Sequence, residues 1–266
     1  MPRRLALITG ASAGIGAAFA RIYASNGYDV ALTARRAERL EELSNELTLR
    51  YGVEALVIPA DLAEPGAVDA VLGRITAEGR EVDALVNNAG YSISGAYAGS
   101  EWAAQAAMLQ VLVGVVCEAS HKVLPGMLER RFGRIVNVAS LAGLIPASPH
   151  ATLYGACKSF LVKFSQTLHL ETLNTGVHVS ALCPGLTYSE FHDVDGSRAR
   201  LEAATPEWMW MGADEVAAHG YEAVEANRPV SVTGAPNKAI AASAKLIPDD
   251  WGLALIASQG GRFRPR

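Results

Sequence analysis

Cysteine is scarce: Cys117, Cys157 and Cys183 are the only three in 266 residues. Their odd number and the absence of any CxxC spacing argue against a disulfide framework or a thiolate zinc site, and suit a reducing compartment. Histidine is also thin, with six scattered residues and no HxxxH pair, so no metal is expected. Basic charge is not in excess, since 23 Lys and Arg face 27 Asp and Glu; the formal net charge of -4 lacks the field of a nucleic-acid binder. The most apolar segment, MLQVLVGVVCEA, is interrupted by Gln110 and Glu118 and reads as too short for a membrane span. The opening MPRRLALITG carries two arginines and a short apolar run without a small-residue cleavage site, so a cytoplasmic rather than exported protein is expected. Internal repeats, low-complexity linkers and breaks in composition are lacking too, which leaves one domain over 1–266 as the simplest organisation.

What is present is an apolar half and only 19% charged residues, enough for a large core. Short β-rich runs (RLALIT, DVALTA, EALVIPA, DALVNN, GRIVNVAS, VHVSALCPG) alternate with helical segments over 14–26, 36–50, 64–79, 100–131 and 151–175. Such alternation predicts an α/β fold: right-handed βαβ units forming a doubly wound parallel sheet with helices on both faces. The second helix shows its period in Leu40, Leu43 and Leu47, opposite Glu41, Glu42 and Glu46. The segment 186–212 is read as a strand-poor loop or small helical lid. After a last strand, PVSVTG, come a helix over 237–247 and a tail, 258–266, read as disordered.

Two stretches carry chemistry. In LITGASAGIG a strand runs into a turn with Gly10, Gly14 and Gly16 and then a helical pattern, a geometry that brings backbone amides and a helix N-terminus to a pyrophosphate. An ordinary glycine-rich βα turn is the alternative. No lysine followed by Ser or Thr completes a P-loop, so an NTPase is not expected. At the end of the second strand Ala34 stands where an acid would hold ribose hydroxyls, and Arg35 and Arg36 follow; guanidinium groups without a carboxylate favour a 2'-phosphate, hence NADP(H) over NAD(H). In YGACK, Tyr154 and Lys158 lie about 40° apart on one helical face. A fixed positive charge beside a phenol favours the phenolate, which suits proton exchange with a substrate oxygen. The same pair is also compatible with a packed ring and a solvated charge.

The ordered set TGASAGIG (9–16), DL (61–62), NNAG (87–90), NVAS (137–140), YGACK (154–158) and PGLTYSEF (184–191) resembles the short-chain dehydrogenase/reductase family from about residue 4 to 233. LPGMLERRFGRIVNVASLAG is most similar to its bacterial, NADP-preferring branch of broad or unassigned specificity. The resemblance implies a Rossmann-like single domain and an NADP(H)-dependent oxidoreductase acting on a carbonyl or alcohol. It further implies Tyr154 as general acid/base, Lys158 as the group that lowers the tyrosine pKa and holds the nicotinamide ribose, and Ser140 as a second hydrogen-bonding partner of the substrate oxygen. Gly10, Ser12, Gly14, Ile15 and Gly16 are assigned to the cofactor by the same matching. Asp61 and Leu62 would sit beside the adenine, Asn87, Ala89 and Gly90 on the adenosine side, and Pro184, Gly185 and Thr187 around the carboxamide, with Ser189 in place of a frequent threonine. A homodimer or homotetramer is implied, with Val115, Val116, Phe160 and Phe164 as candidate core or contact positions.

One departure stands out. The family's fourth-helix asparagine, which holds a water of a proton relay, maps to Leu112, and no asparagine occurs from 100 to 131. Leucine has no hydrogen-bonding group, so the relay must be rerouted or impaired; Gln110, two residues away on a helix, faces elsewhere. The alternative function is therefore a catalytically weak NADP(H)-binding regulatory or scaffold protein. Candidate substrate-facing residues are Tyr91, Leu141, His150, Tyr188 and Phe191, with Trp208, Met209, Trp210 and Met211 on the lid or in ordinary packing; they suit an apolar carbonyl compound.

Overall fold

The computed structural model describes residues 3–147, 152–194, 196 and 198–258; His150 and tail residues 259–266 lie outside them. Its strands are β1 (Leu5–Thr9), β2 (Asp29–Ala34), β3 (Ala55–Pro59), β4 (Ala84–Asn87), β5 (Gly133–Val138), β6 (Val177–Cys183), β7 (Thr187–Tyr188), β8 (Met211–Gly212) and β9 (Val230–Val232). The helices are α1 (Gly14–Ser25), α2 (Ala37–Tyr51), α3 (Ala67–Ala77), α4 (Trp102–Leu109), α5 (Val115–Glu129), α6 (Thr152–Glu171), α7 (Phe191–Val194), α8 (Arg198–Ala204), α9 (Ala213–Glu225), α10 (Ala235–Ala244) and α11 (Asp249–Ser258). Seven strands form one parallel sheet in the order β3-β2-β1-β4-β5-β6-β9.

The strands are apolar on both faces because helices cover both. Alternate residues of β1 divide accordingly: Ala6 and Ile8 pack with Phe19 of α1, Leu40 of α2 and Val216 of α9, whereas Leu5 and Leu7 pack with Val71 of α3 and Val115 of α5. Leu40, Leu43 and Leu47 are the buried stripe of α2, as their spacing predicts, and the helix stops at Gly52 in the left-handed region (φ 63°).

The C-terminal part of the chain holds more helix than its sequence pattern predicts. Helix α9 gives little apolar signal in the sequence because its inward face is built largely of small residues, Ala217, Gly220 and Ala223 beside Val216 and Val224; Gly220 lets it close on Phe19 of α1. Helix α11 follows as a further element, and α10 runs from Ala235 to Ala244 rather than over 237–247. The apolar segment lies within the helix expected over 100–131. A helix of 28 residues runs from Trp102 to Glu129, with mean hydropathy 1.5 over an 18-residue window, long and apolar enough to cross a membrane by length and composition alone. Val111, Val115, Ala119, Val123 and Met127 of this helix pack in the core, as in a sheet-covering helix.

Within 186–212, β7 and β8 pair with each other in parallel, and α7 and α8 lie between them. This is a small helical excursion closed at its base by a two-stranded ladder.

Candidate active site

Nearly every residue singled out from the sequence falls at the carboxyl end of a strand, where loops emerge around the reversal of strand order between β1 and β4. In open parallel sheets that crevice is where ligands bind.

The glycine turn after β1 is tight for a steric reason. Gly10 has φ 66°, and a Cβ at Gly16 would lie 2.3 Å from the carbonyl oxygen of Gly10 and 2.5 Å from Nδ2 of Asn88. Asn88 fastens the turn by donating from Nδ2 to the carbonyls of Thr9 (2.9 Å) and Gly10 (3.2 Å). The Thr9 hydroxyl accepts from the amides of Asn88 (2.9 Å) and Ala89 (3.0 Å), so Ala89 is held in the same corner. Ser12 and Ile15 are half-buried on this turn, with Ile15 packed against the core.

Asn87, read from the sequence as lining the adenosine side, points elsewhere. Its buried amide donates to Oδ1 of Asn137 (2.8 Å) and Oγ of Ser120 (3.2 Å), and Asn137 in turn donates to Ser165 (2.9 Å). This chain ties β4 to β5, α5 and α6 beneath the crevice, and Asn88 is the asparagine at the turn. NNAG contained both amides, but only the strand pleat, which sends neighbours to opposite faces, decides between them. Leu62 likewise packs into the core, leaving exposed Asp61 as the member of that pair open to a ligand; Asp61 Oδ1 accepts from the amide of Ala63 (3.0 Å).

Ala34 is buried at the end of β2, while Arg35 and Arg36 are exposed. Arg36 donates to the Ser12 hydroxyl (3.0 Å) and to Glu190 Oε2 (2.7 Å). Around β6, Pro184 accepts from the amide of Leu141 (2.7 Å), Gly185 packs against Asn237 of α10, and the Thr187 hydroxyl donates to the carbonyl of Gly185 (3.1 Å).

Ser140 and the Tyr154/Lys158 pair are drawn together by β5 and α6. Lys158 is buried, and its Nζ donates to the carbonyl oxygen of Val138, the last residue of β5 (2.6 Å), while lying 5.6 Å from the centroid of the Tyr154 ring. Ser140 follows two residues later, its Oγ accepting from the amide of Ala142 (3.1 Å). Gly143 completes the arrangement: a Cβ there would lie 2.6 Å from the carbonyl of Lys158, so only glycine lets the Ser140 turn rest on α6. Nothing in the sequence singled out Gly143. Burial pulls the Lys158 ammonium down to about 8, against smaller upward effects of Cys157 and Cys183, while the Cys183 thiol is pushed up to about 12 by its own burial.

Leu112 sits at this point, fully buried with Met108 and Cys157 and with Tyr91, Leu153 and Tyr154 packed around them. It lies in a π-helical turn, Gln110–Gly114, and a Cβ on Gly90 would approach it to 2.7 Å and Lys158 Nζ to 3.9 Å. Gln110 lies along Gly114 one turn on, so its amide does not substitute for the missing asparagine.

Among the candidate substrate residues, Phe191 packs its ring 5.6 Å from that of Tyr154, and Tyr188 stacks on Trp210 at 5.0 Å. Leu141 and Tyr91 are half-buried nearby in sequence to Ser140 and Gly90. The Trp208–Met211 stretch splits: Trp210 and Met211 are buried, Trp208 is 66% exposed, and the run lines a cavity of about 270 Å³ with Gly234, Pro236 and Asn237. That cavity involves neither Ser140, Tyr154 nor Lys158.

A family model described as short chain dehydrogenase matches residues 4–198. The chain is 37% identical over 212 residues to a very-long-chain 3-oxoacyl-CoA reductase of Anas platyrhynchos, covering 76% of this chain but only 65% of that protein. It is 34% identical over 238 residues to the NADP-dependent 3-hydroxy acid dehydrogenase YdfG of Salmonella typhi, covering 87% and 86% of the two chains. A solved short-chain dehydrogenase from Sphingobium yanoikuyae, in complex with NADPH, superposes with a TM-score of 0.78 at 28% identity over 99% of this chain and 96% of that one. The sheet order, the glycine turn and the Lys158 anchor beneath Tyr154 thus coincide with a match over most of the sequence, and the chain belongs to the short-chain dehydrogenase family.

Proposed function

We propose that this protein is an NADP(H)-dependent oxidoreductase interconverting a carbonyl and an alcohol. The observation that carries this reading is the buried Lys158, bound to the end of β5 and set beneath the Tyr154 ring on the same helix. When bound, the nicotinamide supplies or accepts the hydride. Tyr154 then exchanges the proton of the substrate oxygen, Ser140 hydrogen-bonds that oxygen, and the ammonium of Lys158 favours the phenolate. With Phe191 against Tyr154, and Tyr91 and Leu141 close by in the chain to Gly90 and Ser140, an apolar carbonyl compound is the fitting substrate class.

The residues present fit the cofactor. Gly10 and Gly16 keep the turn low enough for backbone approach, and Gly90 leaves room for the Leu112 side chain, with Lys158 Nζ close by. Arg36 and Ser12 form a donor pair suited to a 2'-phosphate, and Ala34 presents no carboxylate. NADPH is expected to bind at least about tenfold tighter than NADH, about 1.4 kcal/mol from charge-assisted contacts. Calorimetry with both cofactors on the wild type, Arg35→Ala and Arg36→Ala tests this; equal affinities, or no loss in either variant, would refute it. A panel of ketones, aldehydes and alcohols with both cofactors tests the reaction itself. Cofactor binding without turnover would favour a regulatory NADP(H)-binding protein, the reading to which the sealed Leu112 points. A cytoplasmic homo-oligomer completes the proposal.

A further inference from the structure

A carboxylate reaches the arginine after β2 from a distant part of the chain. Glu190, in the excursion after β6, places Oε2 2.7 Å from the guanidinium of Arg36, the group that also reaches Ser12 on the glycine turn. The two residues are 154 positions apart, so the pair is a product of the fold.

The segment carrying Glu190 is held over the turn. Ser189 packs on Gly14, where an added Cβ would come within 2.8 Å of the serine Cβ. Arg198 of α8 donates to the carbonyl of Ser189 and to Asp193 of α7, the latter at 2.9 Å. The residue following Glu190 is Phe191, whose ring packs against Tyr154. One short stretch therefore touches the glycine turn, the phosphate-binding arginine and the proposed proton donor.

We propose that Glu190 is a specificity-determining residue that competes with the 2'-phosphate of NADP(H) for Arg36 and so couples occupancy of the adenosine end to the placement of Phe191 against Tyr154. This rests on the NADP(H) reading above. Two anions cannot both take the favoured geometry on one guanidinium fork without repelling each other, so a 2'-phosphate arriving at Arg36 weakens its hold on Glu190. Releasing Glu190 loosens the stretch next to the proposed substrate site only when the phosphorylated cofactor is present. A ligand lacking that phosphate leaves the pair intact.

Both side chains are more than two-fifths exposed, at 44% for Arg36 and 43% for Glu190, which limits the competition to the strength of a surface ion pair. Glu190→Gln removes the charge and keeps the shape. It is expected to bind 2',5'-ADP about two- to fivefold tighter than the wild type, the equivalent of about 0.4 to 1 kcal/mol, with 5'-AMP unchanged. These probes lack nicotinamide and report the adenosine end alone. In an Arg36→Ala background, Glu190→Gln should give no gain.

Calorimetry of the four proteins with both probes at low ionic strength decides the matter. Unchanged 2',5'-ADP affinity in Glu190→Gln, or a gain that persists without Arg36, overturns the competition. Weaker 5'-AMP binding in Glu190→Gln also overturns it, showing instead that the carboxylate holds ribose hydroxyls. If neither the wild type nor Glu190→Gln prefers 2',5'-ADP over 5'-AMP, the NADP(H) reading itself fails.

Discussion

Lys158→Met removes an ammonium that folding has drawn out of water and keeps a chain of similar length. Burial lowers the lysine from 10.5 to about 8, a difference that corresponds to a cost of about 3 kcal/mol for holding it charged at neutral pH. Against this stands the hydrogen bond from Nζ to the Val138 carbonyl, worth about 1 kcal/mol net. The desolvation cost is the larger, so the methionine variant should be more stable than the wild type by about 2 kcal/mol near pH 7. The folded value lies below the unfolded one, so between about pH 8 and 10.5 the unfolded chain binds more protons and wild-type stability gains as pH rises. The advantage of the variant should therefore shrink through that window and vanish or reverse at its upper end. The raised Tyr23 and Tyr221 phenols, which are not coupled to Lys158, weaken both proteins in alkali and cancel in the difference. Urea denaturation of both proteins, followed by tryptophan fluorescence between about pH 7 and 10, measures it. A difference that does not change with pH, or a variant less stable at pH 7, would refute the argument that burial sets this lysine's titration.

Leu112→Asn should raise turnover without tightening NADPH, since positioned proton transfer is worth roughly 10²- to 10⁴-fold. It should also lower stability by about 2 to 5 kcal/mol, because a fully buried leucine packed with Met108 and Cys157 is replaced by an amide with few partners; a wild type that already turns over briskly, with the variant only destabilised, would show that another group carries the proton. Val115 and Val116 are buried in the core, whereas Phe160 is 42% exposed and stacks on Phe164 at 5.9 Å. Phe160→Glu should therefore dissociate a homo-oligomer in light scattering, and a wild type monomeric at micromolar concentration would refute the assembly.

Much of this protein was determined by local sequence. The βαβ alternation, the Leu40-Leu43-Leu47 stripe and the glycine turn after β1 are legible because strand burial, helical period and the conformational freedom of glycine act over a few residues. The Tyr154/Lys158 pair is legible for the same reason, being one helical turn apart. Tertiary structure decided what depends on partners far along the chain. It sent Asn87 into a buried chain with Asn137 and left Asn88 to hold the turn, a choice made by the pleat and by what lies on each face. It seated Gly143 on the backbone of Lys158 and packed the small-residue face of α9 against Phe19, contacts whose energy exists only once both surfaces meet. It also set Glu190 on Arg36, 154 residues away: sequence records that both charges exist, but their attraction falls off with separation, and only the folded chain brings them to 2.7 Å.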